Sequence, residues 1–102
     1  MELRKGFFGA ASTLELADFN ATAGKTVGPF KPALTGGWYT INISSAKASI
    51  NKWTTNGGVT QIRLRFKLDD NNDSVANLLN LVSGNNAVAA NRPTLIVEYY
   101  VP

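Results

Sequence analysis

The sequence contains no cysteine and no histidine. Without cysteine there is neither a disulfide framework nor a thiolate metal site, and the redox compartment is not written in the chain. Without histidine, the His-dependent triads and nearly all zinc chemistry are excluded, which leaves carboxylates as the obvious catalytic groups. Charge is also scarce: Asp, Glu, Lys and Arg make up 17% of the residues, for a formal net charge of +3. The ten basic residues are dispersed and no run of them exceeds two, so no nucleic-acid footprint is indicated. No apolar stretch reaches the roughly 18 residues of a membrane span, and no membrane insertion is expected. The segment Met1 to Phe8 lacks the apolar core and small-residue cleavage site of a secretory signal, so an export signal would have been removed or lie outside this sequence.

What is present is a globular, weakly charged composition. Apolar residues supply 44% of the 102 positions, enough for one small domain with one core. A single domain over residues 1–102 is therefore expected.

The local patterns are those of an all-β chain. Leu3 to Phe8 reads as a short strand running into Gly6 and Gly9, and Ser12 or Thr13 is placed to cap one or two helical turns over Leu14 to Asn20. Gly and Pro punctuate Ala21 to Pro32, leaving room for a short edge strand around Lys25 to Phe30. After the turn signal Gly36-Gly37, Trp38 to Ile43 alternates as a half-buried strand with Tyr39, Ile41 and Ile43 toward the core. Ser44 or Ser45 then caps a short helix over Ala46 to Lys52, with Ala46, Ile50 and Trp53 near one side, and Asn56-Gly57-Gly58 turns the chain again.

Val59 to Leu68 is the clearest strand. Ile62, Leu64, Phe66 and Leu68 form one face, Gln61, Arg63, Arg65 and Lys67 the other, which predicts one buried and one wet side. Asp69 to Asp73 is a polar loop, Val75 to Val82 suggests a helical turn and a short strand, and Ser83 to Arg92 is a second polar loop. Pro93 then opens a terminal strand through Val101, a position where its missing donor costs nothing. Short strands, turn-rich loops and one or two brief helices in the connections predict an antiparallel β-sandwich of jelly-roll type.

Three stretches in fixed order sharpen that expectation: Trp38 to Ile43 leading into a helix that ends at Trp53, Val59 to Leu68, and Arg92-Pro93-Thr94-Leu95-Ile96-Val97-Glu98-Tyr99 after Ser83-Gly84. Together they resemble the C-terminal portion of the DNRLRE-type β-sandwich domains, which look like carbohydrate-binding modules of large secreted proteins. The resemblance implies a non-catalytic, extracellular or cell-surface module that binds glycans or serves as a scaffold. It also implies that this chain corresponds to the later part of a longer jelly roll, whose uncovered edges must meet a second chain unless the domain closes by itself.

Candidate sites follow from side-chain chemistry. Asp69, Asp70, Asn71 and Asp73, with Asn77 nearby, offer the hard oxygen ligands that calcium prefers, although the loop lacks the glycine and the final glutamate of an EF-hand; a solvated turn capping the next segment is the other reading. The same loop is poorly suited to glycoside hydrolysis, which needs two carboxylates from opposite walls of a cleft. Arg63, Arg65 and Lys67 would lie about 7 Å apart on one strand face and could hold an anionic polysaccharide, or simply keep a wet face charged. Trp38 or Tyr39, and Tyr99 or Tyr100, should point outward and could stack on sugar rings. Phe7-Phe8 splits in the same way, an exposed Phe suiting a chain-to-chain contact. Two functions are expected from these features: a non-enzymatic module binding polysaccharide, or a structural subunit that assembles with its own copies or a complementary chain through open β-edges.

Overall fold

The structure is a computed structural model that describes residues 1–68 and 71–101. It is mostly β, with small antiparallel sheets and helical turns that are all of the 3-10 kind. The chain divides into two units, Met1–Asn71 and Asn72–Pro102.

Within the first unit, β1 (Glu2–Lys5) is the centre of a three-stranded sheet, flanked by β2 (Lys25–Thr26) and β5 (Thr60–Arg63). The β1–β5 register pairs Glu2 with Arg63, Leu3 with Ile62, Arg4 with Gln61 and Lys5 with Thr60; β2 pairs Thr26 with Glu2 and Lys25 with Leu3. Cross-strand partners share a face, so Leu3 and Ile62 lie on one side while Glu2 and Arg63 lie on the other. The small core builds up under the first of these sides. Leu3 is fully buried, Val27 and Ala46 join it, and Met1, Phe30, Ile43 and Ile50 pack around them.

β3 (Leu34–Thr35) and β4 (Trp38–Tyr39) form a separate hairpin, with Leu34 opposite Tyr39 and Thr35 opposite Trp38. The two connecting residues, Gly36 and Gly37, both have positive φ, 58° and 82°, the conformation that a two-residue hairpin turn requires. Gly6 is constrained differently. Its φ is 81°, its N–H donates to the Val59 carbonyl, and a Cβ there would come within 2.7 Å of the Asn56 Cβ.

The helical segments are tighter and shorter than expected. The first occupies Leu16–Phe19, flanked by Glu15 rather than by Ser12 or Thr13. The second spans Ser44–Ser49, where the Asn42 side chain accepts from the Ser44 N–H and neither serine side chain caps it. That turn delivers Ala46 to the core, while Trp53 stays exposed.

The larger expectations need correction. No jelly roll or sandwich of two packed sheets is formed among the described residues. The strand expected over Val59 to Leu68 pairs only at Thr60–Arg63, and the one expected over Trp38 to Ile43 only at Trp38–Tyr39. Residues 93–101 carry no strand, and neither strand nor helix forms over Val75 to Val82. The physical reason is the same throughout: an alternating segment becomes a strand only where an edge is offered to its N–H and C=O groups, and the available edges are two to four residues long. The faces of β5 also differ from expectation. Arg63 is half-buried and Ile62 exposed, because the apolar core is centred on β1 and reaches little beyond it.

The second unit organises its polar loop locally. Asn86 N–H donates to the Ser83 carbonyl, Val88 N–H to the Asn86 side chain, and Arg92 Nε to the Asn86 carbonyl at 2.8 Å, enclosing a 3-10 turn at Ala89–Asn91. No described residue of this unit is buried.

Leu3→Ala is expected to cost about 2–5 kcal/mol in urea unfolding, enough to abolish the fold of so small a core. Leu14→Ala, at an exposed position, should stay within about 0.5 kcal/mol of the parent chain.

Candidate functional site

Arg63 joins several segments of the first unit. Its Nε donates to Glu2 Oε2 at 2.5 Å, its Nη1 to the Asp18 carbonyl, and its Nη2 to the Ala21 carbonyl at 2.9 Å. Nη2 also lies 2.5 Å from the same oxygen, Glu2 Oε2, so two donors of the guanidinium converge on one carboxylate oxygen and tie β5 to β1 between side chains that are each only 15% exposed. The guanidinium carbon Cζ sits 4.3 Å from the centroid of the Phe8 ring, a cation–π contact of about 1 kcal/mol.

Arg63 does not act alone. Gln61, two residues earlier on the same face, accepts from the Phe8 N–H at 2.7 Å and donates toward the Ser12 carbonyl. Arg4 on β1 donates to the Thr22 carbonyl at 2.6 Å. The segment from Phe8 to Thr22 has little regular structure, so its carbonyls need donors from elsewhere; a polar sheet face supplies them. This explains why the face carrying Arg and Gln is the one that the segment covers.

Beside this network lies an open groove of about 390 Å³ whose lining includes Glu2, Phe19, Ala21, Thr22, Arg63 and Arg65. Its charged lining is two guanidinium groups against one carboxylate, a net charge of +1, with Arg65 also approaching Glu2, at 3.5 Å. Of the expected basic row, then, Arg63 devotes its donors to the fold, Arg65 keeps 46% of its side chain exposed, and Lys67 is exposed.

The expected aromatic platforms fall in separate places. Trp38 and Tyr39 are both partly exposed on β4, and Tyr99 and Tyr100 are both exposed in the second unit, so the one-in, one-out division does not develop in either pair. Phe8 is buried and Phe7 half-buried, so Phe8 takes the core side while Phe7 is not the exposed surface ring that was expected. Of the expected calcium ligands, Asp69 and Asp70 lie outside the described residues. Asn71 and Asp73 are exposed, and Asp73 Oδ1 accepts from the Val75 N–H at 2.8 Å, the hydrogen bond of an Asx turn. Among the described residues no three His, Cys, Asp or Glu side chains gather as a metal-binding group, and no helix is long and apolar enough to cross a membrane.

Sequence reasoning missed Glu2, Gln61 and Asp18 as members of a network. Period-two spacing of Glu2 and Arg4 flags a polar face on β1, and the three-residue spacing of Glu15 and Asp18 is that of a helix-capping pair. No protein-family model, curated protein or solved structure matches this chain.

Arg63→Lys retains the charge but loses the forked geometry. It is expected to destabilise the chain by about 2 kcal/mol in denaturant titration, with little salt dependence, because the lost hydrogen bonds to charged and carbonyl partners are shielded from water.

Proposed function

We propose that this chain is a non-catalytic, secreted or cell-surface structural module that completes a β-sandwich by assembling with further copies of itself. The supporting observation is an internal complementarity between strand-forming sequence without an edge and an edge without a strand. Residues Thr94 to Val101 contain no Gly or Pro, a single charge at Glu98, and a run of β-favouring side chains that are all exposed. Among the described residues no strand pairs with the outer side of β5, and the chain continues from it through Leu64, Phe66 and Leu68, apolar and exposed at alternate positions. A terminal strand donated to β5 of a neighbouring copy would lengthen β5 toward Leu68 and cover both apolar rows. Donor and acceptor are different surfaces, so the contact is head-to-tail and yields a ring or a filament. The DNRLRE-type resemblance fits this reading, since it too expects strands at Val59 to Leu68 and from Pro93 onward.

Light scattering should report masses that are multiples of 11.0 kDa and rise with concentration. Ile96→Pro, which places a ring and a missing donor in the middle of the donated strand, should return the chain to a monomer. A single 11.0 kDa species of the parent chain at high concentration would refute assembly.

The glycan-binding reading retains one specific support, the full exposure of the Tyr100 ring with Tyr99 beside it. It expects retention on a polysaccharide column that Tyr99→Ala and Tyr100→Ala each weaken by about 1–2 kcal/mol, in chain kept monomeric by Ile96→Pro.

A further inference from the structure

We infer that Glu15 and Asp18 form a binding site for a hard divalent cation, calcium by preference, against the backbone at Gly9. Asp18 is only 8% exposed, and its Oδ1 is buried with no hydrogen-bond partner. Its other oxygen, Oδ2, accepts from the Glu15 N–H at 2.9 Å, so the side chain is held in place while Oδ1 is left over. A carboxylate oxygen removed from water without a partner is costly, and an ion or a bound water is the usual resolution.

The direction of that oxygen makes the case for an ion. A Cβ built on Gly9 would meet Asp18 Oδ1 at 2.6 Å and Glu15 Oε2 closer still. Both oxygens converge on the same small region, and they are therefore no more than about 5 Å apart, the reach of one calcium with Ca–O distances of about 2.3–2.6 Å. Glu15 Oε2 also accepts from the Ala10 N–H at 2.9 Å, which fixes the second carboxylate. Neither carboxylate has an ion-pair partner among the described residues: the nearby Arg63 binds the Asp18 carbonyl, and its charge is matched by Glu2. Two fixed negative charges thus share one region with no protein cation between them.

Only two acidic side chains contribute, so carbonyls and waters must complete the coordination sphere. That composition selects calcium, which tolerates irregular oxygen shells, over magnesium, which demands a near-ideal octahedron, and it implies a dissociation constant of about 1 mM, as in extracellular modules. The site lies outside the acidic loop at Asp69 to Asp73 and does not depend on assembly.

The experiment is calorimetric titration of the full chain with calcium chloride, with magnesium chloride as comparison, followed by urea unfolding in 10-fold excess of calcium over its dissociation constant. The expected result is saturable calcium binding, weaker magnesium binding and about a tenfold shift of the unfolding equilibrium toward the folded state. Asp18→Asn and the milder Glu15→Gln should each weaken calcium at least tenfold, while Asp73→Asn should leave it unchanged. If calcium neither binds nor stabilises, and Asp18→Asn is as stable as the parent or more so, the orphan oxygen needs only a water or a proton and the site is refuted. Calcium binding that survives Glu15→Gln but disappears in Asp73→Asn refutes it equally, assigning the ion to the other loop.

Discussion

The fork of Arg63 is the constraint on which the first unit rests. One guanidinium joins three segments far apart in sequence: Glu2 on β1, the Asp18 and Ala21 carbonyls of the covering segment, and β5 itself. Arginine suits this task because its donors are fixed in a plane and its charge persists under all ordinary conditions. The core on the opposite face is too small to do it alone, with Leu3 as its one large, fully buried side chain. Packing under β1 and hydrogen bonding over it therefore hold the same sheet from two sides. Losing either leaves strands of two to four residues, which are not stable by themselves.

That arrangement also shapes what the chain can offer a partner. The polar face is occupied by its own loop, and Glu2 holds Arg63 and approaches Arg65 in the groove beside it. The apolar side chains beyond Arg63 are instead exposed in alternation, and those of the second unit are exposed throughout. Exposed apolar rows on strand-prone segments are the surfaces on which the proposed assembly draws. The same loop that covers Arg63 brings Glu15 and Asp18 together at Gly9, so the best-ordered polar network and the candidate cation site share one segment.

Much of the local structure was legible. A short strand was expected over Leu3 to Phe8, where β1 begins one residue earlier, and period-two alternation marked the longer segments within which β4 and β5 form; glycine pairs located the turns at Gly36-Gly37 and Asn56-Gly57-Gly58, and the polar loop from Ser83 to Arg92 was recognised as such. The inward turn of Arg63 was not legible. Alternation tells which residues share a face, but it does not tell which face will be covered or by what. Here the cover is a loop whose backbone carbonyls require donors, so the polar face went inside. The pairing of Glu15 with Asp18 was not read, the cap having been expected at Ser12 or Thr13, although the two stand at a capping interval; the orphaned oxygen depends on burial, which local spacing does not encode.

The sequence by itself determined the chemical inventory, the β character and the positions where the chain turns, because these depend on residue identity and on interactions between near neighbours. The tertiary structure alone decided that the short N-terminal strand is central and that the terminal segment expected as a strand from Pro93 carries none. A strand exists only with an edge to pair with, and which edges are available is settled by contacts such as Glu2–Arg63, sixty-one residues apart.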